Sequence, residues 1–417
     1  MEIFYKSEGG MKKRLLIIGI TMEAAGSEKS FLSFASHAID YSRYEVDLLL
    51  AKREGDFLDR IPKEIRVLEM GEMGELFLLN RKNAYSMIAK YGFFKNPLCF
   101  FSLLPYIIKR VCSKEANEKS FAAHRIWMGL MKLMPKCSTH YDIALAYWGD
   151  RTMFYMVDKV NADKKIAWLH FDYKKPPRED ALYEKYFADC DRVITVSKEI
   201  EESLKKGLPR IAPKVMTLEN IVDEREIMAA SAEQADFGDD FSGTRILTMG
   251  RICDQKGYDL AVPAIARLRE EGYHVKWYIL GRGDAEEETA LADLIRRYHA
   301  ETFISVLGIQ KNPYPYIKKA DIYMQPSRHE GKPISVEEAK ILCKPIIVTN
   351  YTSACEQLEN GKIGMITDIS ENGIYEGLKK MLSDRALCEK YSALLFEMKK
   401  EKGKNNSDPF FDVFERF

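Results

Sequence analysis

Residues 326–350 read PSRHEGKPISVEEAKILCKPIIVTN. The run Ile322 to Gln325 leads into them and the apolar run Ile346 to Val348 closes them, with a loop and a helical pattern between. Strand, loop, helix and strand in that order make one unit of a parallel sheet, and such sheets bind ligands beyond the carboxyl ends of their strands. Glu330 stands in the loop, and Glu338 follows after seven intervening residues, inside the helix. A helix entrance there offers free backbone N–H groups and a partial positive charge, which together seat a phosphate.

The same alternation extends in both directions. Toward the N-terminus, strands are expected at Leu15 to Ile20, Val46 to Leu50, Ile143 to Ala146, Ile166 to Leu169, Val193 to Val196 and Val215 to Leu218. A second series runs through Ile246 to Met249, Val275 to Leu280, Ile304 to Leu307, Ile322 to Gln325, Ile346 to Val348 and Met365 to Ile366. Helical patterns between them imply an α/β chain with two mostly parallel sheets in tandem, covered on both faces. Between the series, 229–243 is acidic and holds no Lys or Arg, which reads as an interdomain linker. The expected division is 11–227, a linker at 228–243, 244–400, and a C-terminal segment 401–417 whose Phe410, Phe411, Val413, Phe414 and Phe417 have helical spacing.

Composition excludes several functions. With 417 residues, 63 basic against 63 acidic side chains leave no net field to attract nucleic acid. The eight cysteines are scattered without a CxxC pair or a zinc-type cluster, as expected of a reduced cytoplasmic chain without a metal. No secretory leader is visible, and the ten residues before Met11 look dispensable. Asp189 and Asp191 precede a strand rather than follow one, so they read as a turn cap and not as a metal clamp. One interval departs from neutrality: 81–140 carries eleven Lys or Arg against two Glu, interleaved with Phe93, Phe94, Phe100, Phe101, Tyr106 and Trp127. Docking on an anionic membrane surface and ordinary helix packing both account for it. Its 97-PLCFFSLLPYII-108 is too short to span a bilayer and is interrupted by proline.

Candidate binding groups cluster after strands. Gly26 lies in the loop after the first strand, where it serves either a ligand or the turn alone. His170 follows the strand Ile166 to Leu169 and reads either as a donor to a ligand hydroxyl or as a structural histidine. Arg251 and Lys256, in 250-GRICDQKG-257, are two cations able to hold a diphosphate without metal, and 281-GRGD-284 admits close backbone approach. Glu338 has a second reading, because Ser335 and Glu338 fit an S-x-x-E capping box.

Taken together, Glu330 and Glu338, Arg251 and Lys256 with Gly257, 281-GRGD-284 and 344-KPIIVTN-350 resemble the motifs of the retaining group 1 glycosyltransferases (glycosyltransferase family 4). The resemblance covers about 245–381 closely and the first half more loosely through 14-RLLIIGI-20, His170, 193-VITVS-197 and Asn220. It implies the GT-B fold: two Rossmann-like domains facing a cleft, acceptor on the N-terminal one and nucleotide-sugar donor on the C-terminal one. It further implies that Arg251 and Lys256 bind the donor diphosphate, Glu330 the transferred sugar, Glu338 the ribose, and His170 the sugar or phosphate from across the cleft. Gly26, Gly250, Gly281, Gly283 and Gly331 would line the donor.

The implied activity is metal-independent hexosyl transfer with retention from a UDP-sugar, and the basic, aromatic interval 81–140 adds the expectation of a glycan or lipid-linked acceptor, in surface polysaccharide or glycolipid synthesis. The nucleotide-sugar is a substrate and no cofactor is expected. The expected location is cytoplasmic, and the basic, aromatic interval 81–140 leaves peripheral contact at the inner face of the membrane open beside ordinary helix packing. A catalytically silent GT-B module binding a nucleotide or partner protein is the alternative. A nicotinamide enzyme is disfavoured because no GxGxxG follows a first strand. Two positions depart from the family pattern: Ala25 precedes Gly26 where adjacent glycines are usual, and Cys343 replaces the glycine before Lys344-Pro345.

Overall fold

A computed structural model describes residues 12–23, 25–78, 83–94, 96–175, 177–404 and 414. The first sheet has the order β3-β2-β1-β4-β5-β6-β7, built from β1 (Lys13–Gly19), β2 (Tyr44–Leu50), β3 (Ile65–Glu69), β4 (His140–Ala146), β5 (Asn161–Leu169), β6 (Arg192–Thr195) and β7 (Val215–Thr217). The second has the order β10-β9-β8-β11-β12-β13, from β8 (Thr244–Met249), β9 (Val275–Leu280), β10 (Ile304–Gly308), β11 (Ile322–Gln325), β12 (Ile346–Thr349) and β13 (Met365–Thr367). Every pairing is parallel. Each is a doubly wound, Rossmann-like layer.

Leu15, Leu16, Ile17 and Ile18 are wholly buried because helices cover both faces of β1. Phe31, Phe34 and Ala35 of the helix Gly26–His37 lie in the core on one face, while Trp127 of the helix Ala116–Met131 belongs to the core on the other. All twelve expected strands are present. The unexpected one, β3, sits at the sheet edge, where only Ile65 is buried and Arg66 and Glu69 break the apolar run that marks central strands.

In both sheets the strand order reverses beside the first strand, between β1 and β4 and between β8 and β11. Ligands of open α/β sheets sit at such switch points. The loops after β1, β8 and β11 are the ones that carry Gly26, Arg251 with Lys256, and Glu330.

The acidic stretch is packed, not a solvated tether. A helix, Glu224–Ala230, overlaps its start. Phe237 is buried with its ring 4.5 Å from that of Tyr278 and 5.2 Å from that of Tyr316. Asp239 accepts a hydrogen bond from the Tyr278 hydroxyl (2.8 Å) and pairs with Lys276 (2.7 Å) and Arg245 (3.3 Å). The basic partners come from β8 and β9, so charge balance appears only when the strands are assembled. At the other end, Phe414 packs edge-on against Phe34 and Tyr44 of the first layer. Phe410, Phe411, Val413 and Phe417 fall outside the described residues.

Burial raises the Asp239 pKa, but the bonds from Lys276 and Tyr278 outweigh it and hold the carboxyl down at about 2. Its folded value lies below the unfolded 3.8, so its stabilisation is present above that pH and lost as pH falls through about 2. Asp239→Asn is expected to cost about 1–3 kcal/mol in urea unfolding at neutral pH. That difference should shrink in acid.

Candidate functional site

Strands β8 and β11 are hydrogen-bonded neighbours, with Ile246 opposite Ile322. The loops that follow them are therefore brought side by side. Lys256 ends a short turn, Asp254–Lys256, and its ammonium lies 2.6 Å from Glu330. Glu330 also accepts from Ser327 Oγ (2.6 Å), Gln325 Nε2 (3.2 Å) and Gln255 Nε2 (3.3 Å). A buried carboxylate with four donors is held in one orientation. Arg251 is exposed, and its guanidinium has no ion pair among the described residues. Gly281, at φ 149°, brings its backbone against the Gly250 carbonyl, where a Cβ would lie 1.9 Å from the oxygen. A Cβ on Gly283 would come within 2.4 Å of the Ile252 carbonyl.

The two sheets meet at Gly331. A Cβ there would lie 2.3 Å from the carbonyl oxygen of His170, so only glycine allows the loop after β11 to touch the loop after β5. His170 is stacked on Trp168 and lies 4.5 Å from the Tyr147 ring, centroid to centroid. Burial drives its pKa down to about 3, opposed only by a hydrogen bond with Asn220, so the imidazole is neutral. Its Nε2 is buried and has no partner. Asn220 in turn accepts from Ser30 Oγ (2.8 Å) and donates to the Lys332 carbonyl (3.4 Å).

Glu338 lies within the helix Ile334–Ile341, whose N-cap is Pro333 with no side-chain cap. The capping-box reading is therefore overturned: Ser335 sits inside the first turn and donates to Gln325 Oε1 (3.2 Å). Glu338 Oε1 instead receives Lys29 Nζ (2.8 Å), reaching across from the first layer, and the Tyr314 hydroxyl (3.2 Å). Its Oε2 is buried and unpartnered. Orphaned buried polar atoms are costly, and this oxygen and His170 Nε2 are two of them.

Gly26 opens its helix with nothing within 4 Å of the place a Cβ would take, so the local packing does not require glycine there. Asp191 accepts the Lys165 backbone N–H (2.7 Å) at the N-terminal edge of the sheet, away from the site. Three residues escaped sequence reasoning. Lys29 and Glu28 share the first turn of one helix, and Lys332 is buried between Glu219 (2.9 Å) and Glu356 (3.4 Å). Glu28 accepts from Trp148 Nε1 (2.9 Å) and Ser27 (2.6 Å), and burial raises its pKa against these bonds and the Arg251 charge. For Lys332 burial lowers the pKa, yet Glu219 and its other acidic neighbours outweigh it and the net shift is upward. A charged side chain carries no signal of a partner that lies far along the chain, as Lys29 and Lys332 do from Glu338 and Glu219.

The chain is similar to known proteins in part of its sequence and in its fold. Residues 233–394 match the family described as glycosyl transferases group 1. An N-acetylgalactosamine-N,N'-diacetylbacillosaminyl-diphospho-undecaprenol 4-alpha-N-acetylgalactosaminyltransferase of Campylobacter jejuni is 28% identical over 207 residues, 49% of this chain and 54% of that protein. The capsular polysaccharide biosynthesis glycosyltransferase CapM of Staphylococcus aureus is 25% identical over 142 residues, 34% of this chain and 37% of that protein. The chain spans about half the length of the curated relatives it matches. Among solved structures, HepE of Anabaena in complex with UDP-glucose superimposes with a TM-score of 0.63 at 14% identity, covering 93% of this chain and 95% of that one. At that identity the fold is what is shared, two Rossmann-like layers in the GT-B arrangement.

The His170 environment makes an acid-sensitive element. Its folded pKa lies below the unfolded 6.5, so the unfolded chain binds the extra proton and stability falls as pH drops from 6.5 toward about 3. His170→Gln is expected to flatten the dependence of the unfolding midpoint on pH across that window, by up to about 1.4 kcal/mol per pH unit.

Proposed function

We propose that this chain, whose residues 233–394 form a group 1 glycosyltransferase domain, moves a hexose from a UDP-sugar to a glycan or lipid-linked acceptor with retention of anomeric configuration. The process served is surface polysaccharide or glycolipid synthesis. One observation carries the reading: the Lys256 ammonium pairs with the fixed carboxylate of Glu330 at the switch point between β8 and β11, in the loop that also carries Arg251, and the next residue after Glu330, Gly331, touches the His170 carbonyl of the first layer. The names of the Campylobacter and Staphylococcus relatives support the acceptor class, and the UDP-glucose complex of HepE supports the donor class.

The barrier to glycosyl transfer is charge separation as the anomeric C–O bond breaks. Arg251 and Lys256 oppose it by neutralising the leaving diphosphate, which is worth on the order of several kcal/mol in a site shielded from water. Lys256 needs no search for its place, since Glu330 already holds its ammonium at the strand edge. Glu330 orients sugar hydroxyls and is not assigned as a nucleophile. The unpartnered Oε2 of Glu338 takes a ribose hydroxyl. His170 offers a ring nitrogen to the sugar without placing a positive charge beside the developing oxocarbenium ion. Gly26, Gly250, Gly281, Gly283 and Gly331 line the donor, and two cations, Lys256 held by Glu330 and the exposed Arg251, replace the metal that other transferases use. The chain acts on the cytoplasmic side of a membrane.

A thermal-shift and hydrolysis screen against UDP-, GDP- and ADP-hexoses tests the reading. A UDP-hexose should raise the melting temperature and be turned over in excess EDTA, with the product anomer matching the donor by NMR. Arg251→Ala should lower kcat by about 10²–10³-fold. Glu330→Gln should weaken both donor stabilisation and turnover. A wild-type protein that responds to none of the three donors ends the proposal.

A further inference from the structure

The carboxylate of Glu338 is already engaged. Its side chain is 2% exposed, and both lone pairs of Oε1 are taken, one by Lys29 Nζ at 2.8 Å and one by the Tyr314 hydroxyl at 3.2 Å. Oε2 has no partner, but it is closed to solvent. A ligand hydroxyl therefore finds no open acceptor on this residue while Lys29 stays in place. Lys29 comes from the helix Gly26–His37 of the first layer and Glu338 from the helix Ile334–Ile341 of the second, so the ion pair spans the two layers. The ammonium is also held over the Tyr314 ring, 5.0 Å from its centre.

We propose that Lys29 sets the affinity of the chain for its nucleotide donor by competing with the ribose for Glu338. The ion pair closes the ribose subsite of the empty cleft, and the donor seats fully when its ribose hydroxyls replace Lys29 on the carboxylate; this rests on the reading of Glu338 as the ribose contact. A lysine suits such an exchange, because its ammonium is a point charge on a flexible stem and moves without disturbing its helix. It also has somewhere to go. Lys29, Tyr314 and Glu338 line one cavity together with Asp223 and Glu226, whose side chains are 24% and 48% exposed. Asp223 lies 3.1 Å from His37 Nε2 and Glu226 2.5 Å from Arg60, and a carboxylate has room for further donors. Without a ligand Glu338 is the better seat, because so deeply buried a carboxylate is costly to leave with one neutral donor. Once ribose hydroxyls supply that carboxylate, the more exposed acids take the ammonium. The measured affinity is then the intrinsic one reduced by the fraction of chains in which Lys29 has let go. Only ligands that use the carboxylate meet this cost.

Isothermal titration of the full chain with UDP and with dideoxy-UDP, whose sugar ring carries no hydroxyl, tests it. Lys29→Met should lower the Kd for UDP by at least about fivefold and leave that for dideoxy-UDP unchanged. In a Glu338→Gln background the same substitution should bring no gain. Tyr314→Phe removes the other donor to Oε1 and leaves the ion pair. It should lower the Kd for UDP by a smaller factor, and it serves in place of Lys29→Met if that variant does not fold. An unchanged or higher Kd for UDP in Lys29→Met overturns the proposal, as does a gain of equal size with dideoxy-UDP. A wild type that binds UDP, with no gain in the variants, ends only the competition at Glu338. A wild type that binds neither nucleotide ends the reading of the cleft together with it.

Discussion

The site depends on the close approach of two backbones at Gly331. Both sheets end their strands in loops rich in polar groups, and such loops repel one another unless each group finds a partner. With no side chain at Gly331, the loop after β11 lies against the His170 carbonyl, and the contact is then reinforced by Asn220 to the Lys332 carbonyl and by Thr352 to Asp172 (2.5 Å). Reciprocal bonds between Glu199 and Glu356, each carboxylate accepting the other's backbone N–H, extend the clasp. The cleft is thus bounded by main chain, which has little freedom to adjust.

Charge inside that clasp is arranged for position more than for stability. Lys256 and Glu330 are both shielded from solvent, and a buried ion pair recovers little beyond the cost of removing its members from water. What it does secure is geometry: a carboxylate with four donors cannot turn, and its ammonium partner stays at the strand edge. Lys29 reaches Glu338 and passes 5.0 Å from the centre of the Tyr314 ring, linking the two layers through one cation. Among the buried polar atoms without partners, Glu338 Oε2 belongs to the second layer and His170 Nε2 to the first. Each is a local cost to stability.

Much of this was legible in the residues. Central strands of a covered parallel sheet are continuous apolar runs, so Leu15 to Ile18 and Val275 to Leu280 announce themselves, whereas β3 at the edge alternates with charge and does not. Glu330, Arg251 and Lys256 stand out as candidates because each follows a strand, and strand ends in such sheets face the ligand. The partners of Asp239 were not legible, since Lys276 and Tyr278 stand on a strand that the acidic stretch meets only in the folded chain.

By itself, the sequence determined the two α/β series, their parallel pairing and the set of charged residues at their strand ends, because hydrophobic periodicity and loop position are local properties of the chain. Only the tertiary structure decided which of those residues face one another. Lys29 stands 309 positions before Glu338, and nothing in either neighbourhood encodes the other. The same holds for Phe93 to Val111: the apolar residues are visible in the sequence, but whether a helix face is buried or bare depends on what the rest of the chain packs against it. Contacts between distant segments are set by the shape of the assembled layers, and that shape is a property of the whole chain.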